Sequence, residues 1–141
     1  MIATNIVVSL GLQLKGKPCR VLSVDMRVQS AAADFYTYPD IAIVCDKPEF
    51  DGRNTLKNPK VIIEVLSPAT AKYDRNEKFE YYKKISSLET YVLVEQDSKF
   101  FELFNKADAG WVQTTSKDII AIDAIGCTLA AADVYDKTEL D

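Results

Sequence analysis

Val61-Ile62-Ile63-Glu64-Val65-Leu66-Ser67-Pro68-Ala69-Thr70 is the stretch from which the fold is read. Its first six residues form a nearly unbroken apolar run, the mark of a central strand covered on both faces. Ser67 to Thr70 end it. Glu64 interrupts the run, and an unpaired carboxylate there would cost several kcal/mol. It needs a proton, a cation or a metal. A structural salt bridge and a functional site are both open on this evidence.

Upstream, Pro39-Asp40 opens a second apolar strand, Ile41 to Cys45, with the proline at a strand start where no ladder donor is needed. Asp40 is either a turn residue of the ordinary kind or a second acid on a strand beside Glu64. Downstream, a helix is expected from Asp74 to about Ser86, with Asp74 and Glu77 at capping-box spacing. Asp74, Lys78, Tyr82 and Ile85 fall on one stripe of it, with Phe79 alongside. Lys78 is either half of an Asp74–Lys78 helix pair or a cation aimed at the acids. Tyr82 is either core or part of the site. Two strand acids suit a hard cation such as Mg²⁺, and a lysine nearby suits developing negative charge or an attacking water.

The remaining pattern places a helix over residues 3–15, with Ile6, Val7, Leu10 and Leu14 at helical spacing and Lys15-Gly16 as its stop. A strand is expected over 20–28, a polar connection over 29–37 and a surface loop over 46–60. Thr90 to Glu95 reads as a strand entered by a short turn from the helix, Phe100 to Phe104, Trp111 to Thr115 and Ile119 to Ile122 as a meander, and Asn105 to Gly110 as a turn. Leu129, Val134 and Tyr135 mark a short amphipathic piece in the tail. Trp111 is expected to pack the meander and Lys83-Lys84 to be a solvated helix face. Tyr36 and Tyr38 are expected to be exposed but fall short of a stacking platform. The order of elements gives a mixed α/β or α+β fold, a central β-sheet flanked by helices with a C-terminal β-meander.

Composition narrows the chemistry. The 141 residues suit a single domain, 1–141, and 48% apolar and 27% charged residues are those of an ordinary globular protein. A net charge of −4 argues against a purely electrostatic nucleic-acid binder. Histidine is absent, which removes His-based zinc sites, Ser-His-Asp triads and Cys-His dyads together. Cys19, Cys45 and Cys127 are far apart with no CxxC spacing. They argue against a disulfide framework or zinc knuckle, with Cys45 and Cys127 read as small core residues, and suggest a reducing, cytoplasmic setting. No apolar run approaches the ~20 residues of a transmembrane helix, so no membrane is expected, and no signal peptide or glycine-rich phosphate loop is present.

Pro39-Asp40, then Glu64-Val65-Leu66-Ser67-Pro68-Ala69-Thr70, then Asp74 through Lys78 to Tyr82, resembles the Uma-two family of endonucleases. That family is a branch of the PD-(D/E)XK, restriction-endonuclease-like superfamily. The resemblance runs from about Asn5 through Tyr135. It implies a restriction-endonuclease-like core and a Mg²⁺ site, with Mn²⁺ as a substitute, held by Asp40 and Glu64. It also implies Lys78 as the catalytic lysine, Asp74 and Tyr82 in support, DNA as substrate, and pairing as a homodimer. The superfamily lysine two residues after the acid is here Leu66, and Lys78 matches the family's helix lysine instead. Family members carry a further segment before the first helix, with an acid that can complete the site, and on this resemblance the chain starts inside the family's domain. The expected function is a metal-dependent endonuclease acting on DNA, with activated water as nucleophile. The alternative is a catalytically inactive nuclease-fold module that serves in protein or nucleic-acid interaction.

Overall fold

The apolar strands 41–45, 61–66 and 90–95 sit side by side in a computed structural model that describes residues 1–23, 26–30, 35–52 and 54–140. The chain runs α1 (Ile2–Leu14), β1 (Cys19–Ser23), β2 (Arg27–Ser30), β3 (Phe35–Thr37), β4 (Ile41–Cys45), β5 (Phe50–Asp51), β6 (Thr55–Leu56) and β7 (Val61–Leu66). It continues through α2 (Ala71–Arg75), α3 (Glu77–Tyr82), β8 (Thr90–Glu95), β9 (Phe101–Ala107), β10 (Gly110–Ser116), β11 (Ile119–Ile122), β12 (Cys127–Ala130) and α4 (Ala131–Val134). The main sheet has the order β1-β4-β7-β8-β9-β10, a mixed sheet in which only β7 and β8 are parallel. A parallel pair needs a crossover, and α2 and α3 supply it.

Strand alternation divides the core in two. Ile41, Ile43, Val61, Ile63, Val92 and Val94 turn to one face, where α1, the β11–β12 hairpin and α4 cover them. Ile6, Leu10 and Leu14 form the buried stripe of α1, as their spacing predicts. Ala42, Val44, Ile62, Tyr91 and Leu93 turn to the other face, against Phe79 and Tyr82 of α3, Ile85, Leu88, and Val28 and Leu56 of a small second sheet. That sheet has the order β3-β2-β6-β5. Among the described residues no helix is long and apolar enough to cross a membrane.

Several expectations change. The strand expected over 20–28 divides: β1 pairs with β4 in the main sheet, whereas β2 pairs with β3 and β6 in the small one. Val24 and Asp25, which fall at the division, lie outside the described residues. The expected connection at 29–37 contains β3, and the expected loop at 46–60 contains β5 and β6, because Leu56 and Thr55 bury themselves beside Val28 and Arg27. The helix expected from Asp74 is two short helices with a break at Asn76. It starts earlier, since the Ser67–Thr70 turn already directs the Ala71 and Asp74 N–H groups onto the Ser67 and Thr70 carbonyls. Asp74 is therefore inside α2 and caps nothing. The third strand of the expected meander leaves the main sheet: Ile120 and Ile122 bury against α1 through the hairpin with β12. Cys19 and Cys45 stand opposite each other in the β1–β4 register and are joined as a disulfide, which runs against the reading that argued against a disulfide framework and took Cys45 for a small core residue. Cys127 is free and buried, as expected.

Candidate functional site

Glu64 shares strand parity with Ile62, so its side chain turns to the α3 face of the sheet, where it is 2% exposed. Asp40 has the parity of Ala42, which stands opposite Ile62, and so belongs to the same face. The main-chain ladder between β4 and β7 ends at Ile41 and Ile63. Beyond it the side chains take over the pairing. The Asp40 N–H donates to Glu64 Oε1 at 2.9 Å, and the Val65 N–H donates to Asp40 Oδ2 at 2.7 Å. Each carboxylate thus satisfies a backbone donor of the neighbouring strand and is fixed by it.

The crossover brings the cation. Lys78 of α3, whose side chain is 12% exposed, forms an ion pair with Glu64 Oε2 and lies 3.6 Å from Asp74 Oδ1. Tyr82, one turn later and fully buried, donates its hydroxyl to Glu64 Oε2 at 3.2 Å. Leu66 lies in the core on the same face as Glu64, so the positive charge comes from the helix and not from the strand. Asp74 has its carbonyl tied to β8, where the buried Tyr91 hydroxyl donates to it at 2.9 Å. The structure therefore brings together Asp40, Glu64, Asp74, Lys78 and Tyr82, all five of the residues singled out in the sequence.

The electrostatics follow from burial. Desolvation pushes the Glu64 carboxyl up to about 7, against the pull of Lys78 and of the Asp40 N–H. Burial likewise raises Asp74, again against Lys78. Burial alone would lower the Lys78 ammonium, but Glu64, then Asp74 and Asp40, outweigh it and leave its pKa raised. Tyr82 and Tyr91 are raised by burial and stay protonated, which suits them as donors.

Sequence reasoning missed a second ionic cluster at this end of the sheet. Arg75, next to Asp74, donates from Nε to Glu102 Oε2 at 2.9 Å and from Nη2 to Glu95 Oε1 at 2.5 Å and Glu102 Oε2 at 2.6 Å. Gln113 donates to the other oxygen of Glu102 at 3.2 Å. Together with Tyr91 this fastens the α2–α3 break to β8 and β9. The signal was available: Glu102 is a buried acid bracketed by Phe101 and Leu103, as Glu64 is bracketed by Ile63 and Val65.

Asp40 and Glu64 present only oxygen donors, and burial leaves Glu64 short of positive charge even beside Lys78. Among the described residues no group of three or more His, Cys, Asp or Glu side chains could hold a metal ion. Two carboxylates with the remaining positions filled by water and substrate phosphate is how Mg²⁺ is commonly bound, so the donor set fits that ion. It does not suit zinc, whose usual nitrogen and sulfur ligands are missing here.

A family model described as "Putative restriction endonuclease", Uma2, matches residues 1–131. An uncharacterised protein of Synechocystis sp. is 31% identical over 125 residues, 86% of this chain and 66% of that protein. A second from the same organism is 32% identical over 108 residues, 74% of this chain and 61% of that protein. The chain thus spans less than two thirds of the length of each of these relatives. A crystal structure of "a putative nuclease belonging to DUF820" from Anabaena variabilis has a TM-score of 0.74 at 17% identity, covering 95% of this chain and 78% of that one. At that identity the likeness speaks for the fold, a nuclease fold with a mixed central sheet.

Proposed function

Since the chain belongs to the Uma2 family, described as "Putative restriction endonuclease", we propose that it is a metal-dependent endonuclease that hydrolyses phosphodiester bonds in DNA. One observation carries the reading: a buried strand acid, Glu64, is bonded both to the backbone of a second acid, Asp40, and to a lysine delivered by the following helix.

Asp40 and Glu64 would hold the metal, Mg²⁺ with Mn²⁺ as substitute. Such an ion supplies Lewis-acid polarisation of the phosphate and activation of water. The protein's own groups divide the rest of the work. The Asp40 carboxylate is set in place by the Val65 N–H, so it is oriented before any ligand arrives. Lys78 carries its charge at neutral pH, because the neighbouring acids raise its pKa. Its ammonium is placed to hold a water beside Glu64 or to stabilise negative charge that develops on the phosphate oxygens. Tyr82 pins one oxygen of Glu64, and Asp74 holds Lys78 from its other side.

Asp40→Asn and Glu64→Gln are the informative variants, since an amide oxygen can still accept the backbone bonds that join the strands. Calorimetry is expected to show Mg²⁺ binding in the wild type and its loss in Glu64→Gln. Cleavage of DNA is expected to require Mg²⁺ or Mn²⁺ and to disappear in both variants. The reading falls if the purified protein cleaves no nucleic acid in either metal, or if Glu64→Gln cleaves as well as wild type.

A further inference from the structure

We propose that Arg27, Tyr36 and Tyr38 form a nucleotide-binding subsite on the segments that lead into Asp40, and that it takes an unpaired strand. The identity of the ligand rests on the nuclease reading above.

The three side chains belong to the segments that lead into Asp40. Tyr36 is in β3, four residues before Asp40, so the chain places their Cα atoms within about 14 Å of each other at full extension. Alternation along β3 turns Phe35 inward, where its ring stacks on Tyr81 of α3 at 4.0 Å and 5°. Tyr36 turns to the opposite face and is 44% exposed; Tyr38, two residues on, is 61% exposed. Gln29 stands opposite Tyr36 in the register and donates to its hydroxyl at 3.1 Å. Arg27, two residues before Gln29, is on that same face.

Arg27 is held with no ion pair among the described residues. Its Nε donates to Thr55 Oγ1 at 2.7 Å, and its guanidinium carbon lies 4.7 Å from the centre of the Tyr36 ring. Among the described residues no carboxylate is within ion-pair distance of it, and its two terminal nitrogens make no hydrogen bond. In a chain with 21 acidic and 17 basic residues, an arginine fixed by one edge and one face yet with no acid paired to it among the described residues is arranged for an anion from outside. A guanidinium fork with free donors matches a phosphate. The exposed Tyr36 ring beside it, with Tyr38 two residues on, matches a base, because stacking serves any base that has left its duplex.

The charge balance and the exposed rings favour a single strand over a duplex. Duplex binding draws on many phosphate contacts, which a net charge of −4 does not favour. Affinity must then come from local contacts, and bases stacked inside a duplex offer no face to Tyr36 or Tyr38.

The test is fluorescence anisotropy with labelled oligothymidylate and with a duplex of equal length, in EDTA so that nothing is cleaved. Wild type is expected to bind the single strand more tightly. Tyr36→Ala is expected to weaken that binding by about five- to a hundredfold, Tyr36→Phe to retain it, and Arg27→Gln to weaken it and flatten its salt dependence. Equal or tighter binding of the duplex by wild type, no binding of the single strand, or wild-type binding by Tyr36→Ala each overturns the proposal. Cleavage in Mg²⁺ is scored separately. Cleavage that persists with an unaffected Tyr36→Ala removes the subsite and leaves the nuclease. Stacking-dependent binding without cleavage removes the nuclease and leaves the subsite.

Discussion

Replacing Lys78 with methionine takes the cation from a buried acid while keeping most of the volume, and the consequence is a change in how stability depends on pH. In the wild type the Glu64 carboxyl moves from its ordinary 4.5 to about 7 on folding. A carboxyl raised in the folded state favours folding below its unfolded value and loses that contribution as pH climbs through the folded one. At about 1.4 kcal/mol per pH unit the loss between those values is ~3 kcal/mol. Above pH 7 Glu64 is ionised beside Lys78 and this loss levels off. Without Lys78 the largest influence that lowers the Glu64 pKa is gone, so the acid keeps its proton to higher pH. The variant then goes on losing stability above neutrality, by up to about 1.4 kcal/mol per pH unit relative to wild type, or ~3 kcal/mol by about pH 9. Asp74, raised by burial and lowered by Lys78, adds in the same direction. Urea unfolding in EDTA, followed by Trp111 fluorescence from about pH 6 to about pH 9, reads the gap directly, and other titrating groups cancel in the difference. Curves that stay parallel between neutral pH and pH 9 would refute the argument that Glu64 is a buried carboxyl dependent on Lys78.

Two further outcomes follow from other contacts. Arg75→Met removes the clamp between the α2–α3 break and Glu95 and Glu102; with the arginine side chain 34% exposed, a cost of about 1–3 kcal/mol in urea unfolding is expected. A cost below about 0.5 kcal/mol, the range of ordinary surface substitutions, would show that the clamp carries no weight. Reducing the Cys19–Cys45 bridge, which spans a sequence separation of 26, is expected to lower stability by up to about 3.5 kcal/mol on the loop-entropy account. The Cys19→Ser/Cys45→Ser protein should match the reduced wild type and ignore reductant; equal urea midpoints with and without reductant would count against the bridge.

The sequence was most legible where one residue broke a strong pattern. Glu64 in an apolar run, Asp40 at a strand start and Lys78 on a helical stripe are each detectable from periodicity, and the family string joins them. The central strands β4, β7 and β8 were legible because both of their faces are apolar. What escaped were contacts set by register between distant segments. Thr55 and Leu56 look like loop residues until Arg27 and Val28 stand beside them, and Cys19 and Cys45 look unrelated until β1 and β4 align. The division of 20–28 into two strands and the break at Asn76 escaped for a further reason. Local propensity favours continuing each element, and only packing against two different sheets, or a clamp such as Arg75, stops it.

The exchange of bonds between Asp40 and the Glu64–Val65 segment has a meaning for folding as well as for chemistry. A slip of one residue between β4 and β7 would turn every side chain of the slipped strand to the opposite face, parting Asp40 from Glu64 and carrying apolar side chains away from the layers built to receive them. With the two acids in place, only one alignment satisfies both the Asp40 and Val65 donors through their carboxylates. The pair is thus a proofreading device for the strand pairing: a chain that has folded with the wrong alignment forfeits these bonds along with the meeting of Asp40 and Glu64, so assembly of the pair reports correct assembly of the sheet.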